Sequence, residues 1–326
     1  MGEPKARSEP QTEGVALAVP SAPAVSSPGF SAKIINLPHG KELNEAAANR
    51  MCSAQQTRLI ILAGQTDSGK TTLLTTLYEL FQSGPVNGHN FSGSTTLPGF
   101  EERCYLARTQ SGNTTSYTQR TKYSPDPEFL HLQVSPIAAA KQQIGFLFTD
   151  VSGEMFERAC NSTAECQNLR FLRFAAHFVI LLDSGKGVGT DAWAMLQASR
   201  SILQACLDSE MLSKLCFITF VWSKYDYFEA AKPDERELHE KFRDDAAKLL
   251  RDRFEHRVAK LSFRQAAARP EEAPSLGFGY GVAELFNDWI FDSTHSRRMD
   301  LQPPPPKEGR ESELFASRVS IPLQEP

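Results

Sequence analysis

The segment at residues 64–71 constrains this chain more than any other, because its order Gly-Gln-Thr-Asp-Ser-Gly-Lys-Thr matches the pattern G-x-x-x-x-G-K-[ST]. An apolar run, Leu59-Ile-Ile-Leu-Ala, comes directly before it, and apolar residues at helical spacing follow from Lys70 to Gln82. Glycines let the backbone curl so that several N–H groups point at one anion. A buried strand, such a loop and a helix in this order predict a phosphate-binding loop.

The polar residues of this loop have expected roles. We expect the Lys70 ammonium to reach the β- and γ-phosphates of a bound nucleotide, and the Thr71 hydroxyl to coordinate Mg²⁺. Further contacts to the phosphates are expected from the loop and the first helical turn, at Gly64, Asp67, Ser68, Gly69 and Thr72. The alternative is a Gly/Ser-rich turn that only caps a helix, and the strand before the loop argues against it.

Short apolar runs alternate with helical patterns through the middle of the chain. The runs at 144–148, 178–182 and 216–221 are apolar almost throughout, as strands buried on both faces are. The alternation predicts an α/β fold with a mostly parallel sheet and helices on both faces. Together with the loop at 64–71, this arrangement resembles a Ras-like domain of the P-loop NTPase type. Ligands of such sheets bind at the carboxyl ends of the strands, so binding residues should follow strands directly.

Other local patterns are less regular. The Gly/Ser/Thr-rich stretch from Ser83 to Pro98 predicts a loop. Thr190 or Asp191 is expected to cap a helix whose apolar face includes Trp193. Composition rich in Pro, Ser and Ala predicts a disordered or weakly ordered segment at 1–54, and a run of prolines predicts a disordered tail at 296–326. A single domain is expected between them, at 55–295.

Charge and cysteine content limit the function classes. The net charge is −4, from 35 basic and 39 acidic residues, so nucleic acid is not an expected partner. The six cysteines form no C-x-x-C pair, which favours free thiols in a cytoplasmic protein over a zinc site or a disulfide framework. The sequence has no apolar run of about 18 residues, so no membrane span is expected.

A second motif, Asp150-Val-Ser-Gly-Glu, follows the apolar run at 144–148. An Asp at the carboxyl end of a strand can hold Mg²⁺ through water, so Asp150 is a candidate metal ligand. The N–H of Gly153 can reach a γ-phosphate because no side chain blocks it. Hydrolysis would remove that contact and release the loop, which is the basis of a switch. The alternative is an Asp-led turn.

A third motif, Ser223-Lys-Tyr-Asp, ends a buried run and is close to the guanine-reading pattern [NT]-K-x-D. Its Asp226 would accept hydrogen bonds from N1–H and N2–H₂ of guanine, an edge that adenine lacks. The stem of Lys224 would lie over the base. Ser223 departs from the usual Asn or Thr, and the alternative is an ordinary exposed Lys and Asp. The segment Leu261 to Arg264 stands where a loop after the last strand would touch the base edge.

In many GTPases the residue after the Gly of the second motif is a water-orienting Gln, and here it is Glu154. Glu154 is a candidate catalytic residue that either polarises water or is only a surface residue. Residues 84–122 and 150–165 are predicted to be mobile switches, and the insert at 88–112 is a hypothetical partner surface. The Thr that would complete the magnesium site is one of Thr95, Thr96, Thr114, Thr115, Thr118 and Thr121. Arg120 in this region is either an arginine finger or a solvated side chain.

With these elements in order, the chain resembles a P-loop GTPase of the TRAFAC clade. The stretches Leu59 to Leu74, Phe91 to Arg103 and Asp150 to Glu154 resemble the second GTPase of bacterial double-GTPase systems. The resemblance covers about residues 57–292. It implies binding of GTP or GDP with Mg²⁺ and action beside a protein partner, such as a second GTPase, in bacterial conflict or defence.

Three functions are compatible with these motifs. The first is a GTP-binding and GTP-hydrolysing molecular switch, whose turnover depends on a partner. The second is a GTP-binding scaffold with little turnover, in which Glu154 has no catalytic role. The third is a P-loop ATPase or small-molecule kinase, against which Lys224 and Asp226 argue.

Overall fold

The computed structural model of this chain describes residues 40–105, 127–149, 153–161 and 163–291. All of these residues lie in the unit formed by residues 37–326. The predicted disordered tail at 296–326 and residues 1–39 of the predicted disordered N-terminal segment lie outside the described residues.

The described residues form nine α-helices and seven strands. In chain order these are α1 (Glu45–Ala54), β1 (Thr57–Ala63), α2 (Lys70–Ser83), β2 (His89–Gly93), α3 (Leu97–Tyr105), β3 (Phe129–Pro136), β4 (Ile144–Thr149), α4 (Gly153–Asn161), α5 (Thr163–Asn168), β5 (Ala175–Asp183), α6 (Thr190–Asp208), β6 (Phe217–Ser223), α7 (Tyr225–Ala230), α8 (Pro233–Phe254), β7 (Lys260–Gln265) and α9 (Val282–Phe291).

The seven strands form one sheet in the order β2-β3-β4-β1-β5-β6-β7. The pairs from β4 through β1, β5 and β6 to β7 are parallel, and β3 pairs antiparallel with both β2 and β4. Of the described strands, only β3 therefore runs against the others. This mostly parallel sheet confirms the predicted α/β class.

The sheet is buried on both faces because alternate residues of its strands enter two different cores. Leu59 and Ile61 of β1 pack in one core with α1, α4, α5, α6 and α8. Ile60 and Leu62 pack in the other with α2, α3 and α9. A strand covered by helices on both faces has no polar side to alternate with, which explains the continuous apolar runs of the sequence.

Two segments that were predicted to be loop or disordered contain regular structure. The predicted loop at 83–98 contains β2 and the start of α3. The sequence of β2 is His-Asn-Phe-Ser-Gly, which has no alternating apolar pattern, so only its pairing with β3 identifies it as a strand. The predicted disordered segment 1–54 includes α1. Its cap Asn44 accepts a bond from the Ala47 N–H at 2.9 Å, and its buried Ala48 and Cys52 are too small to give a strong apolar pattern.

Two further predictions were wrong in detail. The cap of α6 is Gly189 rather than Thr190 or Asp191, and Trp193 is 40 % exposed, with its ring against Phe242 instead of in the core. The segment Leu261 to Arg264 lies within β7, so the loop after the last strand begins at Ala266. Pairing with β6 extends the strand past the last apolar residue, which local pattern does not show.

Arg58 is a charged residue buried at the amino end of β1. It is 7 % exposed, and its Nη1 donates to the carbonyl oxygens of Trp289 at 2.8 Å and Ile290 at 2.7 Å. Burial lowers its pKa to about 10, so the side chain stays protonated near neutral pH. A cation at the last carbonyls of α9 complements the negative end of that helix. Arg58 therefore fixes the closing helix to the central strand.

Replacing Arg58 should destabilise the fold. We expect Arg58→Met to lower the free energy of unfolding by about 2–3 kcal/mol, because two buried carbonyls lose a charged donor. Urea denaturation followed by circular dichroism measures this. Arg50→Met, at an exposed position of α1, is the control and should change stability by no more than about 0.5 kcal/mol. Equal stability of the two variants would contradict the assigned role.

None of the helices among the described residues is long and apolar enough to cross a bilayer.

Candidate nucleotide-binding site

The candidate site lies at the carboxyl ends of three neighbouring parallel strands. β1 leads into the loop at 64–69, β5 leads into a short 3₁₀ helix at Ser184–Lys186, and β6 leads into Lys224. Because β5 pairs with both β1 and β6, these three segments emerge side by side. The motifs that the sequence places after strands therefore meet at one edge of the sheet.

The loop at 64–69 curls through backbone conformations that few residues adopt. Gly64 has φ 143° and Gly69 has φ 90°, and Asp67, with an exposed side chain, has φ 61°. Glycine takes such values without strain, and Asp tolerates the left-handed region better than most residues. Gly69 is the N-cap of α2 and supplies no side-chain cap. The positive end of α2 is thus placed directly behind the loop.

Lys70 lies across this loop. Its Nζ donates to the carbonyl oxygens of Gly64 at 3.0 Å and Gln65 at 2.9 Å. Thr71 and Thr72 follow it in the first turn of α2. The Ser68 hydroxyl is buried and has no hydrogen-bond partner in the described part of the chain. A cation and a buried hydroxyl at a curled loop suit an anionic ligand rich in oxygen.

Gly153, the first residue of α4, packs directly on the same loop. A Cβ at this position would lie 2.8 Å from the Thr66 nitrogen and 2.9 Å from the Gly64 oxygen, so no larger residue fits without moving the loop. Glu154 lies half-buried in the first turn of α4. The second motif is therefore in contact with the first.

Asp150, the candidate metal ligand, lies outside the described residues. The residue before it, Thr149, is buried, and its hydroxyl oxygen accepts a hydrogen bond from the Leu62 N–H at 3.1 Å. This bond ties the end of β4 to the end of β1, beside the loop. The hydroxyl of Thr71 is an oxygen ligand of the kind that Mg²⁺ accepts, so the chemistry of the described residue fits the ion.

The third motif forms the start of α7. Lys224 has φ 51° and its Nζ lies 2.8 Å from Oδ2 of Asp183, the last residue of β5. The Ser223 hydroxyl donates to the carbonyl oxygen of Leu182 at 3.2 Å, so this departure from the common motif serves to tie β6 to β5. Asp226 is 3 % exposed and accepts two backbone N–H groups from the loop after β7.

Several residues of this edge were not predicted from the sequence. Asp183 pairs with Lys224, and Lys186 donates to the Gln65 side chain at 2.7 Å. Both follow β5 directly, so the rule that binding residues follow parallel strands could have found them. The N–H donors to Asp226 belong to Glu271 and Glu272. No sequence signal points to them, because they act through the backbone.

Three lysines and two carboxylates meet at this edge of the sheet. The ammonium groups belong to Lys70, Lys186 and Lys224, and the carboxylates to Asp183 and Asp226. Lys70 and Lys186 lie at the loop, whereas Lys224 and Asp226 lie at the start of α7. An elongated ligand with an anionic end and a hydrogen-bonding planar end fits this separation of charge.

Two of the candidate magnesium ligands have other partners. Thr96 is fully buried, and its hydroxyl oxygen accepts the N–H of His131 at 2.8 Å. The N–H of Thr95 donates to His131 Nδ1 at 3.0 Å. These bonds hold the turn before α3 against β3, so Thr95 and Thr96 act in the fold. The remaining candidates lie outside the described residues, as does Arg120: Thr114, Thr115, Thr118 and Thr121.

His131 should make stability depend on pH. Burial lowers its pKa to about 4, whereas the unfolded chain has a value of about 6.5. The unfolded state therefore binds a proton first as the pH falls. The contribution of neutral His131 to the free energy of unfolding is fully present above about pH 6.5. It is lost as the pH falls to 4, an effect of about 3 kcal/mol.

Urea denaturation between pH 7 and pH 4 measures this dependence. We expect His131→Asn to lose less stability than the native chain over this range. His256→Asn, at an exposed position, is the matched control and should keep the native pH dependence. An identical pH dependence in all three proteins would show that His131 does not titrate as its burial implies.

The likeness to solved structures is low. A bacterial selenocysteine-specific elongation factor, EF-Sec, is 16 % identical with a TM-score of 0.31, over 71 % of this chain and 27 % of that chain. The GTPase-like domain of S. cerevisiae Ski7, in a structure bound to GTP, is 16 % identical with a TM-score of 0.39, over 65 % of this chain and 42 % of that chain. This chain thus spans less than half the length of either, and TM-scores this low carry no argument about it.

No curated protein matches the sequence. The family model Double-GTPase 2 matches residues 58–290, which is most of the chain and includes all three motifs. The match confirms the resemblance drawn from the sequence, and it supports guanine-nucleotide binding at the level of the family. This chain is a member of the Double-GTPase 2 family.

Proposed function

We propose that this chain binds GTP with Mg²⁺ and hydrolyses it, and that it acts as a molecular switch beside a protein partner. The observation that carries the proposal is the contact between the first two motifs. Lys70 lies across the loop at 64–69, and Gly153 packs on the backbone of that loop. A phosphate chain in the loop would therefore meet both motifs at once.

Each part of the site has a role in this proposal. The Lys70 ammonium and the first turn of α2 neutralise the β- and γ-phosphates. Thr71 and Asp150 would hold Mg²⁺, which when bound offsets the charge of the phosphates. The N–H of Gly153 donates to the γ-phosphate. Lys224 and Asp226 receive the base at the other end of the site.

The position of Gly153 at the start of α4 supports a switch. A hydrogen bond to the γ-phosphate would hold this end of α4, and loss of the phosphate would release it. A protein partner, such as a second GTPase, would then respond to the position of α4. The five cysteines whose side chains are described form no disulfide, which agrees with a proposed cytoplasmic setting.

Nucleotide binding by the full chain is the first test. Calorimetry with Mg²⁺ should show GTP and GDP binding at least about 100-fold tighter than ATP, because adenine has neither the N1–H nor the 2-amino group that would donate to Asp226. Lys70→Ala should abolish binding, and Asp226→Asn should shift preference toward xanthine nucleotides. Lys248→Ala, an exposed position on α8, is the control and should bind as the native chain does.

The same titration can refute the proposal. ATP binding equal to or tighter than GTP binding would remove the assigned role of Lys224 and Asp226. The chain would then be a P-loop ATPase. Of the proposed roles, only phosphate binding by the loop at 64–71 would remain.

Hydrolysis is tested in a single turnover with bound GTP. We expect slow intrinsic turnover, on the order of 10⁻⁴ to 10⁻² per second, because the described site contains no arginine finger. If Glu154 polarises the attacking water, Glu154→Ala lowers the rate at least about 10-fold with unchanged GTP affinity. Glu157→Ala, exposed on the same helix, should leave the rate unchanged.

Two outcomes of this assay would change the roles proposed for Glu154 and for the whole chain. Equal rates for Glu154→Ala and the native chain would make Glu154 a surface residue. GTP that stays intact on the native chain, without a partner, would favour the scaffold function over the hydrolase.

A further inference from the structure

A cavity of about 300 Å³ lies beside β7, the last strand of the described sheet, between α8 and the start of α9. Its walls are formed by residues of β6, β7, α8, α9 and the loop before α9, and none of these residues belongs to the three motifs. A volume of this size accepts a small organic molecule. The cavity is therefore a candidate binding site separate from the nucleotide site.

One part of the cavity wall is aromatic. Trp222, which is buried, and the half-buried Phe263 and Tyr280 line it. The Tyr280 hydroxyl accepts a hydrogen bond from Gln265 Nε2 at 2.7 Å, and its carbonyl oxygen accepts the Ala267 N–H at 3.0 Å. These bonds fix the Tyr280 ring beside β7. The aromatic wall is therefore formed before any ligand binds.

Arg243 of α8 brings a positive charge to this cavity. Its Nη1 donates to the Tyr225 hydroxyl at 3.4 Å and its Nη2 to Gln265 Oε1 at 3.2 Å, and both of these acceptors are neutral. Its guanidinium carbon lies 5.8 Å from the centre of the Trp222 ring. A guanidinium carries more N–H donors than these two bonds use. Its Nε is buried and has no acceptor in the described part of the chain.

The other charged residues of the wall do not neutralise Arg243. Arg264 forms a two-bonded ion pair with Asp288, with contacts of 2.7 Å and 3.0 Å, so its charge is balanced within the protein. Glu284, in the first turn of α9, is exposed, and water screens its charge more than that of the half-buried Arg243. Arg243 forms no ion pair with a carboxylate of the described residues. A half-buried cation without a counter-charge favours an anionic ligand.

From these contacts we propose that the cavity binds a small organic carboxylate with an aromatic or other planar apolar body. The carboxylate accepts charge-assisted hydrogen bonds from Arg243, and the apolar body packs against the aromatic wall. A monoanion suits a wall with one uncompensated cation and one carboxylate, Glu284, better than a phosphate dianion does. This site goes beyond the proposed function and does not depend on it.

The test is a fluorine NMR titration of 4-fluorophenylacetate into the full chain without nucleotide. We expect saturable binding with a Kd on the order of 1 mM or tighter, as a ligand of this size allows. 4-Fluorophenylacetamide has the same shape and no charge, so it should bind at least about 10-fold more weakly. Equal binding of acid and amide, or no saturable binding of the acid, would overturn the inference. Tighter binding of phenyl phosphate than of the acid would overturn the assigned ligand class.

Removal of the cation tests its role. Arg243→Met keeps an apolar stem and should weaken binding of the acid at least about 10-fold, while weak binding of the amide changes little. Lys241→Met removes an equal charge from an exposed position on the same helix and should bind the acid as the native chain does. Circular dichroism checks the fold of both variants. Native affinity for the acid in a folded Arg243→Met variant would overturn the inference.

A second variant covers the case in which Arg243→Met does not fold. Glu284→Gln removes the negative charge of the wall at an exposed position, so it should tighten binding of the acid at least about 2-fold and leave the amide unchanged. Glu240→Gln, exposed on α8 and outside the cavity wall, is the matched control and should bind the acid as the native chain does. Equal affinity of the Glu284→Gln variant and the native chain for the acid would place the acid outside this cavity and overturn the inference.

Discussion

The parallel backbone pairing of β1 with β4 and β5 is the constraint on which the rest of the structure depends. Because these strands run in one direction, the segments that leave them emerge at one edge. Helices cover both faces of the sheet, so this edge is where polar groups can collect without burial in a core. The loop at 64–69, Lys186 and Lys224 are neighbours for this reason, although more than a hundred residues of the chain separate the loop from the two lysines.

The two ends of the site are also connected to each other. At the loop at 64–69, Gly153 brings α4 into contact with the loop backbone. At α7, the pairs Lys224–Asp183 and Arg269–Glu79 join α7 and the loop after β7 to β5 and α2. Each ion pair lies between elements that are distant in sequence, and each is partly shielded from water. A ligand that spans the site would therefore contact two groups of elements that are joined to each other by these ion pairs.

Asp226 shows that the fold decides which atoms of a motif residue are free to bind a ligand. The residues of the motif indicate a carboxylate that reads a base edge, with both oxygens available. In the structure the carboxylate is nearly buried, and one oxygen is held by backbone N–H groups of the loop after β7. Ser223 is a second example, because its hydroxyl serves the sheet rather than the ligand. The sequence therefore shows which hydrogen-bonding groups a side chain carries. The neighbouring residues in the fold decide whether those groups can bind a ligand.

The sequence by itself determined the α/β class, and it indicated α2 and the glycine-containing loop before it, because these depend on local apolar spacing and on glycine at fixed positions. It did not reveal α1 or β2, whose small or polar residues carry no periodic signal, and it ended the last strand too early. Tertiary structure alone decided that Thr95 and Thr96 bind His131, that Gly153 touches the loop, and that Glu271 and Glu272 hold Asp226. These contacts join distant segments, several of them through backbone atoms that every residue shares. No local pattern of side chains can specify which backbone groups will meet.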